Sequence, residues 1–475
     1  MLYAGHWGHA IAHDGTGELA VSEASSQKVV IVGAGPAGIR AAATLIEAGL
    51  HPVVIDEGHR AGGQIYRRPP DGFIRPPEQL YGSEATKARA LHALFDQLVE
   101  AGRLTHCAGS SVIAAHERRL HVLREGEVQV IGYDGLILAT GASDRVAPVP
   151  GWQSAGVYSL GAAQIALKAQ GVALGRHIVL IGSGPLLTLV GAQLLKAGAD
   201  VAAVLDTSSW HRQMRGLSGL AARPIVALRG LVLRARLGGR YHAGVTLERI
   251  EADASGIIAM RWRDAGGRQR VTQCDMVGMG WHLRAETHLA DLTGCAFDYD
   301  EQWRQWLPQT DTRGRAGNGV YLAGDGARLI GADGAEIAGR LAAVACLTDL
   351  GHAAPSVRAD LRKLTRLERF AFGLARAFPW PSEMVRALPD DAIVCRCENI
   401  TAGAVREGAD FGGGEANRVK SVSRAGMGRC QGRYCQLAAV ELVAAHAGCG
   451  PKDVGRFRGQ APVRPTPIGA FLRED

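Results

Sequence analysis

The sequence predicts an α/β chain with two doubly wound dinucleotide-binding units and a small helical unit at the C-terminal end. Three observations predict it. A strand, a glycine turn, a helix and a second strand follow one another in KVVIVGAGPAGIRAAATLIEAGLHPVVIDEG. The same order returns about 150 residues later in RHIVLIGSGPLLTLVGAQLLKAGADVAAVLD, and an internal repeat of this kind marks two mononucleotide-fold units in one chain. Four cysteines then gather in two close pairs, CRC and RCQGRYC.

In the first unit Val29–Val32 reads as a buried strand, residues 33–38 as the turn, and residues 39–48 as a helix with small residues on its packing face. Gly49 stops that helix, and Val53–Ile55 is the next strand. The turn GAGPAG matches G-x-G-x-x-G between a strand and a helix. Gly33 permits the tight turn, Gly35 lets a pyrophosphate approach the backbone, and Gly38 lets helix and strand pack closely. Gly35, Pro36, Ala37 and Gly38 open the helix, whose free N–H groups and positive dipole end suit phosphates. An acid about 20 residues on should hold the ribose hydroxyls. Asp56 and Glu57 both occupy that place, and the spacing admits either.

In the second unit the spacing predicts a strand over 178–181, a helix over 186–196 and a strand over 201–205. Its turn reads GSGPLL, with Leu187 where a third glycine is expected, so a side chain there should part helix and strand or shift the turn. Asp206 sits at the position of a nicotinamide-nucleotide ribose acid. With the third glycine missing, NAD is not expected at this site. Further strand–turn signals are LILATGA, with Thr140 and Gly141, and VYLAGD, with Gly324 and Asp325, which leads into a long small-residue helix.

The four cysteines follow the pattern Cys-x-Cys, a 32-residue gap, then Cys-x4-Cys: Cys395, Cys397, Cys430 and Cys435. Four thiolates on two loops suit a [2Fe-2S] cluster, two per iron. A structural zinc also takes four thiolates, usually from two C-x2–4-C knuckles, and Cys-x-Cys fits that pattern less well. Thr401 should cap the helix after the first pair. Cys107, Cys274, Cys295, Cys346 and Cys449 are scattered and read as buried apolar thiols.

The bulk numbers agree with a multidomain globular chain. At 475 residues it exceeds one ordinary core, and hydrophobic residues make up 47%. The net charge of +7 comes from scattered arginines without interleaved stacking aromatics, so nucleic-acid binding is not expected. No apolar run is long enough for a transmembrane helix. No basic start precedes an apolar stretch as in a secretory signal. A cytoplasmic location is expected, with membrane contact only through an acceptor. There is no Ser/His/Asp set, no H-E-x-x-H and no paired carboxylates, so no catalytic residue is assigned.

GAGPAG, Gly62-Gly63-Gln64, LILATGA and VYLAGD, in this order, resemble the pyridine-nucleotide–disulfide reductase-like flavoproteins over roughly residues 28–345. The resemblance implies glutathione/thioredoxin reductase-type domains and FAD, or another adenine nucleotide, at the first site. It further implies Gly63 and Gln64 near the pyrophosphate, Thr140–Gly141 at the crossover, and Asp325 on the ribityl chain. No redox-active cysteine pair accompanies these motifs, so disulfide reduction is not expected. The cysteine pattern is similar to the bacterioferritin-associated-ferredoxin-like [2Fe-2S] domain. The combination with GGQIYR and the tail VGRFRGQAPVRPTPIGAF resembles the large subunits of heteromeric amino-acid and opine dehydrogenases, among them opine oxidases, hydroxyproline dehydrogenases and cyanide synthase.

For such large subunits the resemblance implies a smaller D-amino-acid-oxidase-like partner that holds substrate on its own FAD. It implies an FMN between the two chains and room for a small ferredoxin-like third chain. Electrons would leave to a quinone, cytochrome or ferredoxin. The expected division is an extension at 1–27, a first dinucleotide domain at 28–150 and 286–377, and a second at 151–285. A linker at 378–390, the cysteine domain at 391–455 and a tail at 456–475 complete it. Two other functions fit the same motifs: a self-contained NAD(P)H-dependent reductase, and a docking and relay subunit whose nucleotide is structural.

Overall fold

Val29–Val32 lies in the middle of a six-stranded sheet, which explains why it is apolar at every position. A computed structural model describes residues 27–70 and 72–471, so the expected extension at 1–27 lies outside the described residues apart from Gln27. The strand order is Arg315–Gly317, Val320–Leu322, Gly135–Leu138, Val29–Val32, Val53–Ile55, Thr105–Cys107. All neighbours run parallel except the first pair. A parallel sheet is covered on both faces, so its strands carry unbroken apolar runs.

One cover is the helix Pro36–Glu47, which begins three residues before the sequence suggested, because Pro36 takes the first helical position where no N–H is needed. It packs against Gly331–Asp349, the long helix after the late Gly-Asp turn. The approach is close enough that a Cβ on Gly339 would collide with the Ala37 carbonyl. The return of the chain to the first unit thus happens through contact between small residues.

The second sheet has five parallel strands in the order Tyr241–Ala243, Asp200–Asp206, His177–Ser183, Met276–Trp281, Val157–Ser159. Each unit also carries a three-stranded antiparallel meander, 111–132 in the first and 246–273 in the second. The units are joined by two short antiparallel strands, Ala142–Asp144 and Leu283–Ala285.

The C-terminal unit holds the helices Ala402–Gly412, Ala416–Ser423 and Gln436–His446. Thr401 caps the first of them by accepting from Ala404 N at 3.2 Å, as expected. Its core is continuous with that of the second dinucleotide unit: Trp152, Val179 and Trp281 share one cluster with Val394, Val405 and Val443. Trp152 Nε1 donates to the Ile393 carbonyl at 2.6 Å across that boundary. The stretch expected as a linker, 378–390, is itself packed. Trp380 is buried beneath the Arg145 guanidinium, and the short helix Ser382–Arg386 places Arg386 on Glu441.

Cys107, Cys274, Cys295 and Cys346 are buried, as expected. Cys449 is not: it is exposed, in the loop that follows the last long helix. Among the described residues no helix is long and apolar enough to cross a membrane.

Candidate dinucleotide site and cysteine centre

The first glycine turn is fixed from both sides. Gly33 has φ +109°, and a Cβ there would strike the Ala139 carbonyl. A Cβ on Gly38 would strike the Gly33 carbonyl, so the first and third glycines are required by the packing of the turn itself. Gly35 differs. Its φ is ordinary at −80°, and the nearest atom to a Cβ would be Gly63 Cα at 3.7 Å. Gly63 closes against it, since a Cβ there would strike Gly35 Cα at 2.9 Å, so the two glycines keep the backbone bare of side chains at the N-terminal end of Pro36–Glu47, which is where a pyrophosphate needs backbone approach. Gly62 holds this contact by donating its N–H to the Ala34 carbonyl at 2.8 Å.

Asp56 closes the turn: it accepts from Ala34 N at 2.5 Å and from Gly58 N at 2.6 Å. Burial raises its pKa, and these two N–H groups oppose that rise. Glu57 is exposed and turns instead to Arg464 of the tail, with which it forms an ion pair. Gln64 is exposed and accepts from the Arg67 guanidinium at 3.0 Å.

The later motifs arrive at the same place. A Cβ on Gly324 would touch Ala37 Cβ at 3.1 Å, and one on Gly326 would touch Thr140 Oγ1 at 2.7 Å. Thr140 donates to the Glu286 carbonyl at 2.7 Å, while Glu286 N donates to the Gly141 carbonyl at 3.0 Å. Asp325 uses one oxygen, Oδ1, to accept from Ile330 N at 2.9 Å and Gly331 N at 3.0 Å. Burial raises its pKa. The structure thus brings together Gly33, Gly35, Pro36, Ala37, Gly38, Asp56, Gly63, Thr140, Gly141, Gly324 and Asp325, while the side chains of Glu57 and Gln64 are engaged elsewhere.

The second glycine turn is built differently. Its strand runs on to Ser183, and Ser183 Oγ donates to Asp206 at 2.7 Å. Asp206 also accepts from Tyr241 OH at 2.7 Å and Ser208 N at 2.8 Å, and it is fully buried. Burial pushes its pKa up to about 6. At Gly184, the counterpart of Gly35, the space is filled: a Cβ would meet the His282 ring at 3.3 Å. That ring is buried edge-on to Trp303, and burial lowers its pKa to about 4, so it stays neutral. Leu187 is buried without disrupting the unit, because close helix–sheet approach moves to Gly191, which faces Leu180, Val204 and Leu237.

Cys395 ends the short strand Ile393–Cys395, and Cys435 stands at the start of the helix Gln436–His446. Both are buried, while Cys397 and Cys430 are half-buried. The thiols associate as two pairs. The Cys395 thiol is drawn down to about 6, first by the Cys435 thiol and then by the N–H groups of Gly426, Glu398 and Cys397. Cys435, its partner, is pushed up. Cys397 bonds to Cys430, and burial raises its pKa. Gly428 lets the two loops meet, since a Cβ there would touch Cys397 Cβ at 2.5 Å. Among the described residues, no three His, Cys, Asp or Glu side chains are gathered tightly enough to hold a single metal ion.

One connection joins the two centres. Glu286, whose backbone bonds Thr140 and Gly141, accepts from Arg433 Nε at 2.5 Å and from Arg433 Nη2 at 3.2 Å. Burial would raise the Glu286 pKa, but His288 and Arg433 hold it well below the usual carboxylate range. Arg433 also donates to the Cys430 carbonyl at 3.2 Å. Beside it, Arg284 donates to the Arg433 carbonyl at 2.8 Å and the Gly432 carbonyl at 3.3 Å. Sequence reasoning singled out none of Arg284, Glu286, Arg433 or His282 as site residues, because their partners lie far away in the chain.

The Pyridine nucleotide-disulphide oxidoreductase family matches residues 27–344, and the Sarcosine oxidase A3 domain matches residues 391–472. The chain is 36% identical to an opine oxidase subunit of Rhizobium meliloti over 94% of its own length and 87% of the relative's. It is 32% identical to the hydrogen cyanide synthase subunit HcnB of Pseudomonas aeruginosa over 93% of its length and 97% of that relative. Among solved structures it is similar to L-proline dehydrogenase from P. horikoshii, with a TM-score of 0.68 and 18% identity over 94% of this chain and 79% of that one, a likeness of fold.

Proposed function

The chain belongs to the pyridine nucleotide-disulphide oxidoreductase family, beside subunits of opine oxidase and hydrogen cyanide synthase, and from that premise we propose that it is the flavin and iron–sulfur subunit of a heteromeric dehydrogenase. The reaction is oxidation of the C–N bond of an amino acid, imino acid or opine, with substrate held by a smaller D-amino-acid-oxidase-like FAD partner. An FMN at the interface between the two chains, and a small third chain, belong to the same reading. Electrons leave for a quinone, cytochrome or ferredoxin.

The observation that carries this reading is the convergence of four separate motifs on one glycine turn, hydrogen-bonded through Glu286 and Arg433 to the cysteine loop. The residues fit the groups. Gly35 and Gly63 keep the backbone bare for a pyrophosphate, Asp56 or Glu57 at the end of the second strand would hold the ribose, and Asp325 keeps Oδ2 for a ribityl hydroxyl. Two thiol pairs, Cys395 with Cys435 and Cys397 with Cys430, suit two irons with two thiolates each, and the Cys-x-Cys spacing fits a zinc knuckle less well. A flavin supplies two-electron chemistry and a [2Fe-2S] cluster one-electron chemistry, so the pair suits a converter that feeds a one-electron acceptor. The chain's own part is to place both groups, and Thr140, Glu286 and Arg433 keep the two loops in register.

The rival reading, a self-contained NAD(P)H-dependent reductase, needs the second turn. There the His282 ring would lie 3.3 Å from a Cβ on Gly184, and Asp206 is fully buried beneath Ser183, Ser208 and Tyr241. Both features support a structural role for that unit.

The test is turnover. The isolated chain should oxidise no amino acid or opine, and co-expression with the oxidase-like partner should restore dye reduction. Robust turnover by the isolated chain would sink the division of labour. Acid extraction and chromatography of the bound nucleotide checks its identity: FAD supports this reading, and ATP or another non-flavin nucleotide selects the structural-nucleotide one.

A further inference from the structure

We propose that Arg284 and Glu286, on and just after the crossover strand, are opposed charges that set the reduction potential of the cysteine centre, Arg284 raising it and Glu286 lowering it. The inference rests on the cluster assigned above.

Arg284 is only 6% exposed, yet its hydrogen bonds go to neutral acceptors: the carbonyls of Gly432 and Arg433 and Oε1 of Gln436 at 3.4 Å. Two of these lie inside the Cys430–Cys435 loop and the third directly follows it. A buried guanidinium without a bonded carboxylate is costly unless a negative group lies near. Glu286 is the nearest carboxylate, but it is engaged by Arg433 through two N–H groups, with His288 Nδ1 at 2.9 Å. The other groups that Arg284 faces are Cys430 and Cys435, whose sulfurs would carry negative charge as ligands of the cluster.

Four thiolates give the cluster a net negative charge, and one-electron reduction makes it more negative. A fixed cation in a water-poor site stabilises the reduced form more than the oxidised one, so its presence raises the potential. Glu286 acts in the opposite sense, because its carboxylate offsets Arg433, which is bonded to the Cys430 carbonyl. Glu286 also bonds Thr140 and Gly141 through its backbone, so the same residue that tunes the cysteine loop anchors the flavin motif. Arg284 and Glu286 are positioning residues, since neither touches a reacting atom.

The experiment is a dithionite redox titration of the complex co-expressed with its partner, followed by electron paramagnetic resonance of the reduced cluster. Arg284→Gln removes the charge and retains hydrogen-bond donors. It should lower the potential by at least about tenfold in the one-electron equilibrium constant, or about 59 mV. Glu286→Gln keeps a bond to Arg433 and should shift the potential upward. Arg284→Lys should stay near wild type. A general loosening of the loop would move all three the same way, so shifts of one sign, or none at full iron and sulfide content, overturn the proposal. If Arg284→Gln fails to load, the sign of the Glu286→Gln shift decides alone. Absence of sulfide from the wild-type protein would instead sink the cluster reading, a separate outcome.

Discussion

The two glycine turns start from nearly the same sequence, GAGPAG and GSGPLL, and end as different objects. In the first, Gly35 and Gly63 meet backbone to backbone with no side chain between them, and Asp56 is half-buried, with its two bonds to backbone N–H groups. In the second, the equivalent space holds the His282 ring, and Asp206 is buried under two hydroxyls and an N–H. The difference teaches that the motif fixes the strand–turn–helix geometry, whereas ligand capacity depends on what the rest of the chain puts in front of it.

The largest effect that could break this comparison is paired. Gly35→Val meets no backbone strain, so the variant should fold and lose its nucleotide almost completely, read as extracted nucleotide per chain. Gly184→Val introduces a branched side chain at φ +109° against His282 and should cost roughly 1–3 kcal/mol of stability, with nucleotide content unchanged in the folded fraction. Nucleotide loss in the second variant rather than the first would invert the assignment.

The next effect sharpens the contrast between the acids. Burial raises the Asp206 pKa from 3.8 to about 6, so the folded state holds its proton at pH values where the unfolded chain has released it. Stability from this group is present below pH 4 and is lost as pH rises through 6, a change of about 3 kcal/mol. Asp206→Asn can keep bonds to Ser183, Ser208 and Tyr241. Its denaturation midpoint should therefore lack that decline, relative to wild type, in urea titrations between pH 4 and 7. Identical pH profiles would show that Asp206 is not held as described.

Smaller still is Asp325→Ala, which should weaken flavin retention several-fold through loss of one contact and the turn that Asp325 stabilises, measured as flavin released on dilution. Smallest is Cys449→Ser. The thiol is exposed and lies outside both thiol pairs, so iron, sulfide and nucleotide content should not change.

Much of this was legible in the residues. Val29–Val32 and Val53–Ile55 announced themselves as unbroken apolar runs beside glycine, and Thr401 announced the helix it caps. Local spacing records what neighbours in sequence must do. The exposure of Cys449 and the packing of the 378–390 stretch were not legible, because burial depends on distant elements; Trp380, an aromatic in a chain with only 5% aromatics, was the one hint. The Glu286–Arg433 pair spans 147 residues and leaves no local pattern. Nor could spacing separate Asp56 from Glu57. In the fold one braces the glycine turn through Ala34 and Gly58, and the other pairs with Arg464 in the tail.

The claim that one dinucleotide unit binds and the other only supports is tested most directly by anaerobic mixing of the complex, co-expressed with its partner, with NADH and NADPH. The account predicts no bleaching of the flavin by either nucleotide at millimolar concentration, while an oxidisable amino acid or opine bleaches it. Rapid bleaching by NADH or NADPH that disappears in Gly184→Val would contradict it.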